Sequence, residues 1–149
     1  MSSEKRKIAY IDGKPYEIGA NHTSILKFVK SYVGEKKVPT LCDDPNLAPY
    51  GACRVCSVEV ALEKDGPTRM VASCHTPVAE NQHIFTSNEA ITSLRKNIVE
   101  LVLTDHPMEC DSCEVNNNCE LQTVANDLGI SDHRYNSPKQ HKGIPRDTS

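Results

Sequence analysis

"LCDDPNLAPYGACRVC", residues 41–56, carries three cysteines on a stretch with no helical or strand periodicity. From Pro39 to Gly51 the chain is rich in Pro, Asp and Asn, so it reads as a loop. The spacing is Cys42-x10-Cys53-x2-Cys56, and Cys74 follows in "MVASCHTPV" after seventeen more residues. Gly51 and Ala52 precede Cys53, and Arg54 follows it. Small residues there let the backbone approach closely, so that its N–H groups point at sulfur.

The flanks of this loop set the fold class. Lys7–Asp12 (KIAYID) and Lys14–Ile18 (KPYEI) are short β-rich runs on either side of Asp12-Gly13, a hairpin signal. Thr23–Val33 places Ile25, Leu26, Val29 and Val33 at helical spacing, with Gly34 at the C′ position. Beyond the loop, Val55–Leu62 alternates like a strand and Asp65-Gly66-Pro67 turns it back. Arg69–Ala72 and His83–Thr86 read as further strands. Hairpin, helix, long loop and more strands predict a small α+β unit of the β-grasp kind over residues 1–86.

Ser87–Thr104 reads as a helix with Ile91, Leu94, Ile98, Leu101 and Val102 on one face, and a capping box from Thr86 and Glu89. Leu121, Val124, Ala125 and Leu128 mark another helix, stopped by Gly129. Between them lies "DHPMECDSCEVNNNCEL", residues 105–121, with the spacing His106-x3-Cys110-x2-Cys113-x5-Cys119. Residues 87–130 thus form a helical segment with a ligand-rich loop. Residues 131–149 are polar and aperiodic, a tail that contacts a partner or begins a further segment.

The cysteine count is seven. An odd number leaves one thiol over in a disulfide framework, whereas one histidine completes two sets of four metal ligands. Cys42, Cys53, Cys56 and Cys74 contain a single Cys-x2-Cys knuckle, where zinc sites pair two. A lone cysteine before Cys-x2-Cys, completed by a distant one, is closer to the plant-type 2Fe–2S arrangement, although its first gap is longer. Zinc and free buried thiols are the competing readings. For His106, Cys110, Cys113 and Cys119, both a 4Fe–4S cluster and a structural zinc fit the donor set. The short loop suits the wider cluster, and a cluster nearby favours it. A neutral imidazole in place of a thiolate removes one negative charge and raises the potential of a cluster. Asp105, Glu109, Asp111, Glu114 and Glu120 surround the loop without an intervening Lys or Arg, as a solvated rim or a docking patch for a basic partner.

Composition excludes other classes. The chain has 149 residues, 38% of them hydrophobic, no Trp and two Phe, so its core is built mainly from Ile, Leu and Val. A net charge of −3 and the lack of a basic stripe give no case for nucleic acid. The N-terminus has no apolar run of the secretory kind, and the stretch around Ile98–Leu103 is too short to span a membrane. A cytoplasmic protein, at most peripheral to a membrane complex, is expected. Neither a nucleotide-binding glycine motif nor a nucleophile–base arrangement is legible, so the chain shows no substrate site of its own. His22, His75, His83, His133 and His141 have no ligand spacing around them.

Three segments together, "VPTLCDDPNLAPYGACRVCSVEV", "ASCHTPV" and "HPMECDSCEVNNNCELQ", resemble the N-terminal iron–sulfur module of the large iron–sulfur subunit of complex I. The module is shared with NAD-linked hydrogenases and formate dehydrogenases. The resemblance runs from about Ile8 to about Asp147. It implies a β-grasp, ferredoxin-like 2Fe–2S domain followed by a small helical segment binding a 4Fe–4S cluster. It assigns Cys42, Cys53, Cys56 and Cys74 to the first cluster, and His106, Cys110, Cys113 and Cys119 to the second. It implies single-electron relay between a flavin-containing, NADH-oxidising subunit and a second iron–sulfur or catalytic subunit. Family members usually continue into further cysteine-rich segments, so the expectation is either a short electron-transfer subunit or the opening of a longer protein. A zinc-stapled interaction module is the alternative.

Overall fold

The computed structural model describes residues 6–132, 134 and 135. Most of the tail at 131–149, with His133 and His141, lies outside the described residues. The chain forms two compact units, Met1–Arg95 and Lys96–Ser149.

The first unit is a five-stranded mixed sheet with a helix. Its strands are β1 (Ile8–Ile11), β2 (Lys14–Glu17), β3 (Ser57–Ala61), β4 (Arg69–Ala72) and β5 (His83–Phe85), in the order β2-β1-β5-β3-β4. β1 pairs antiparallel with β2 but parallel with β5, while β3 pairs antiparallel with both β4 and β5. This is an α+β ferredoxin-like domain with its first and last strands side by side. Asp12 (φ 47°) and Gly13 (φ 83°) are both left-handed, as a two-residue type I′ hairpin turn requires. Pro15 is tolerated because β2 lies at the sheet edge.

Helix α1 (Ile25–Val33) starts at Ser24, whose hydroxyl accepts from the Lys27 N–H at 3.3 Å. It ends at Gly34 (φ 97°), whose N–H donates to the Lys30 carbonyl. Its face of Ile25, Leu26, Phe28 and Val29 packs with Ile11, Val58, Val60 and Ile84 of the sheet. Phe28 is fully buried, so truncating it to Ala costs about 3–5 kcal/mol. Cys56 and Cys74 belong to this same core, which fixes half of the first predicted ligand set.

Two expectations are corrected here. β3 does not alternate: Ser57, Val58, Val60 and Ala61 are all buried. One face meets α1, while the start of α2 (Glu89–Thr104) reaches the strand through Asn88, which donates to Glu59 at 2.9 Å, and through Arg95. The cap of α2 also differs. Asn88 Oδ1, not Thr86, accepts from a first-turn N–H, that of Ile91, at 2.8 Å. Thr86 is engaged elsewhere, donating its N–H and hydroxyl to Asp12 at 2.8 and 2.6 Å.

The buried stripe of α2 is Ile91, Arg95, Val99 and Leu103, four residues apart. Leu101 and Val102, predicted on the buried face, are exposed. An arginine occupies one position of the stripe, so a pattern of apolar residues alone points to a rotated face.

In the second unit the chain leaves α2, makes a short 3-10 turn at Cys110–Ser112 and enters α3 (Glu120–Asp127). Gly129 (φ 68°) stops α3 as expected. The Ile130 N–H donates to the Ala125 carbonyl and the Gly129 N–H to the Asn126 carbonyl, the two bonds of a Schellman closure. Among the described residues no helix is long and apolar enough to cross a membrane.

Candidate metal centres

The four cysteines of the first set come together from the 41–56 loop and the end of β4. The Cys42 thiol hydrogen-bonds that of Cys53, and the Cys74 thiol that of Cys56. Cys56 and Cys74 are buried, whereas Cys42 and Cys53 are half-buried. Backbone N–H groups converge on the sulfurs: those of Leu41, Cys42 and Val55 on Cys53, those of Cys53 and Ala52 on Cys42, and that of Gly51 on Cys74. Gly51 (φ 73°) and Arg54 (φ 64°) adopt left-handed conformations on either side of Ala52 and Cys53. Such alternation turns successive amides to one side and makes an anion-binding concavity.

Gly51 is also required sterically. A Cβ there would lie 2.8 Å from two atoms of the His75 ring and 3.3 Å from Ala72 Cβ. His75 therefore packs against the loop.

Electrostatics differ among the thiols. Burial pushes the Cys74 thiol up, the nearby Cys56 and Cys42 sulfurs add to this, and its pKa reaches about 12. At Cys53 burial also acts upward, but the Val55, Cys42 and Leu41 amides and the Cys42 thiol outweigh it, and its pKa falls below the ordinary value. A group of sulfurs this close resists multiple ionisation, and a multivalent cationic centre relieves it.

Three residues that the spacing did not flag hold the ligand segments. Arg95 is buried, and donates from Nε to the Val55 carbonyl at 3.1 Å and from a terminal nitrogen to the Ser57 carbonyl at 2.8 Å. Ser73 donates its hydroxyl to the Cys56 carbonyl at 2.7 Å. Lys30 of α1 donates to Asp43, next to Cys42, at 3.2 Å. Only Arg95 left a trace in the sequence, as a charged residue in register with an apolar stripe.

The second set lines one cavity. His106, Cys110, Cys113 and Cys119 surround a volume of about 280 Å³, together with Leu103, Met108, Val115, Leu121, Ala125 and Ile130. A single water needs only about 10–15 Å³ of such space, so the cavity suits a group much larger than one ion. Its wall is folded locally. The His106 N–H closes the end of α2 on the Leu103 carbonyl, and the Cys113 N–H bonds the Cys110 carbonyl at 3.0 Å. Gln122, also missed in the sequence, accepts from the Asn117 N–H at 2.8 Å and donates to Asn116 Oδ1 at 2.9 Å. It thereby fixes the five-residue gap before Cys119. Cys119 is the N-cap of α3. Asp105, Glu109, Asp111, Glu114 and Glu120 are all exposed around this loop.

Among the described residues no three of His, Cys, Asp and Glu converge on a point suited to a single metal ion. A cluster distributes its protein ligands over several irons, and the soft sulfur-rich donor sets fit it.

Residues 7–89 match the family model of the 2Fe-2S iron-sulfur cluster binding domain. Residues 95–134 match that of the NADH-ubiquinone oxidoreductase-G iron-sulfur binding region, a 4Fe–4S family. The NADPH-Fe(3+) oxidoreductase subunit alpha of Geobacter sulfurreducens is 34% identical over 137 residues, 92% of this chain and 15% of that protein. The G subunit of the NADH-quinone oxidoreductase of Escherichia coli is 35% identical over 133 residues, 88% of this chain and 14% of that protein. The chain thus spans about a seventh of the length of these relatives. In fold it is similar to a chain in the crystal structure of an NAD+-reducing [NiFe]-hydrogenase in the H2-reduced state, with a TM-score of 0.73 and 24% identity. That likeness covers 87% of this chain and 52% of the other. Both matched models are iron–sulfur families, so the zinc reading gives way to one 2Fe–2S and one 4Fe–4S cluster. With the amide-lined thiols of its first unit and the histidine- and cysteine-lined cavity of its second, the chain belongs to the 2Fe–2S cluster-binding family and is an electron-transfer iron–sulfur module of the kind found at the N-terminus of the large iron–sulfur subunit of NADH-quinone oxidoreductase.

Proposed function

We propose that this chain relays single electrons between a flavin-containing, NADH-oxidising partner and a second iron–sulfur or catalytic subunit of a multi-subunit oxidoreductase. Cys42, Cys53, Cys56 and Cys74 would hold the 2Fe–2S cluster. His106, Cys110, Cys113 and Cys119 hold the 4Fe–4S cluster. The observation that carries this reading is the gathering of both ligand sets: four thiols under converging amides, and the other four residues around one cavity.

The chemistry gives such a module its use. Nicotinamides deliver a hydride, two electrons at once, whereas clusters take one. A flavin that splits the pair needs an acceptor that adds no bonds and moves little, and iron–sulfur clusters provide one. The relatives' names include an NADPH-Fe(3+) oxidoreductase and an NADH-quinone oxidoreductase, in keeping with a wire whose ends differ between complexes. The exposed acidic loop around the second site supports docking of a basic surface of a partner. The proposed location is the cytoplasm, free or peripheral to a membrane complex.

The test is an anaerobic iron and acid-labile sulfide count, with EPR of the dithionite-reduced chain. Six irons per chain and two distinct reduced signals are expected from one 2Fe–2S and one 4Fe–4S centre. Zinc without labile sulfide removes the redox function. Ligand assignments are tested singly: Cys53→Ser should erase the first signal and keep the second, and Cys113→Ser the reverse.

A further inference from the structure

Arg95 is a buried cation among groups that do not neutralise it. Its two hydrogen bonds go to the Val55 and Ser57 carbonyls, which flank Cys56 in the chain. Among the described residues no carboxylate forms an ion pair with it. Burial pushes its pKa down to about 10, and the nearby Cys56 sulfur opposes this. A buried guanidinium without a carboxylate costs free energy unless another anion compensates it. The fork geometry of the guanidinium explains how one side chain bonds two carbonyls on either side of a ligand.

We infer that Arg95 is an electrostatic positioning residue of the first cluster: it pins the Cys56 segment through the carbonyls on both sides and raises the cluster's reduction potential with a fixed buried charge. The inference rests on Cys56 being a cluster ligand, as proposed above. When a one-electron donor reduces the cluster, it gains one negative charge while no bond forms or breaks and no proton is required. A fixed cation beside a ligand sulfur stabilises the reduced state more than the oxidised one. The cluster compensates the arginine in turn, which accounts for a cation at an apolar stripe position between Ile91 and Val99.

The test compares the full chain with its Arg95→Gln and Arg95→Lys variants, each loaded with iron and sulfide anaerobically. The potential of the first cluster is read by mediated EPR titration, with the second signal as the loading control. Absence of the 2Fe–2S signal from the unsubstituted chain overturns the ligand reading itself. Given that signal, Arg95→Gln should make reduction about tenfold less favourable, a downward shift of about 59 mV for a one-electron couple. Arg95→Lys should stay near the unsubstituted potential. An unchanged potential in Arg95→Gln, or an equal fall in both variants, leaves Arg95 a mere clamp and overturns the inference. If Arg95→Gln holds no cluster, Arg95→Lys decides: the original potential supports the role of charge, and a lowered one refutes it.

Discussion

Asp12, in the β1–β2 turn, accepts both the N–H of Thr86 at 2.8 Å and its hydroxyl at 2.6 Å, across 74 residues. The bond pair ties the first hairpin to the end of β5 just before α2 begins. Hydrogen bonds to a charged acceptor contribute about 1.5–3 kcal/mol each, less where the carboxylate is partly exposed. Asp12→Ala should therefore cost about 2 kcal/mol in urea unfolding, and Thr86→Val somewhat less. The m value should not change. A loss below about 0.5 kcal/mol for Asp12→Ala would show that the tie contributes little.

Gly51→Ala should abolish the first cluster and spare the second. The added Cβ meets the His75 ring at 2.8 Å beside Cys74, and the residue's φ of 73° disfavours any side chain. Iron should fall from six to four per chain, with only the 4Fe–4S signal left. Retention of both signals refutes the steric role of Gly51.

His106→Cys should keep a cluster in the second site and lower its potential, because a thiolate adds one negative charge where an imidazole adds none. EPR titration reads the shift. An unaltered potential with the cluster intact removes His106 from the ligand set.

The cap of α2 is tested by Asn88→Ala, which should cost about 1 kcal/mol. Glu89→Gln should stay within about 0.5 kcal/mol, since Glu89 is not part of a capping box with Thr86. The opposite order of effects in thermal unfolding restores the box.

Stability of the metal-free chain should fall as pH rises from about 9 to about 12. The Cys74 thiol ionises near 9.0 when unfolded and near 12 when folded, chiefly because it is buried and secondarily because Cys56 is close. Between those values the folded state binds more protons than the unfolded one, so raising pH favours unfolding. Cys74→Ser should flatten that part of the profile in denaturant titrations at fixed pH. An equally steep profile in the variant assigns the effect to other groups.

Much of this protein was legible along the chain because the deciding signals are local. Asp12-Gly13 fixes a two-residue turn and Gly129 ends α3, both through short-range geometry. The Ile, Leu and Val pattern placed α1 and the strands for the same reason.

What only the tertiary structure decided depends on partners distant in sequence. Thr86 pairs with Asp12 rather than capping α2, because the parallel β1–β5 pairing brings the two together. Arg95 points inward rather than to solvent, where it donates to the carbonyls on both sides of Cys56. The buried face of α2 runs through Ile91, Arg95, Val99 and Leu103, and Leu101 and Val102 are exposed. The candidate ligands are proposed from the order of residues, whereas the amides and charge around them follow from how the chain folds back on itself. Those surroundings set a cluster's potential.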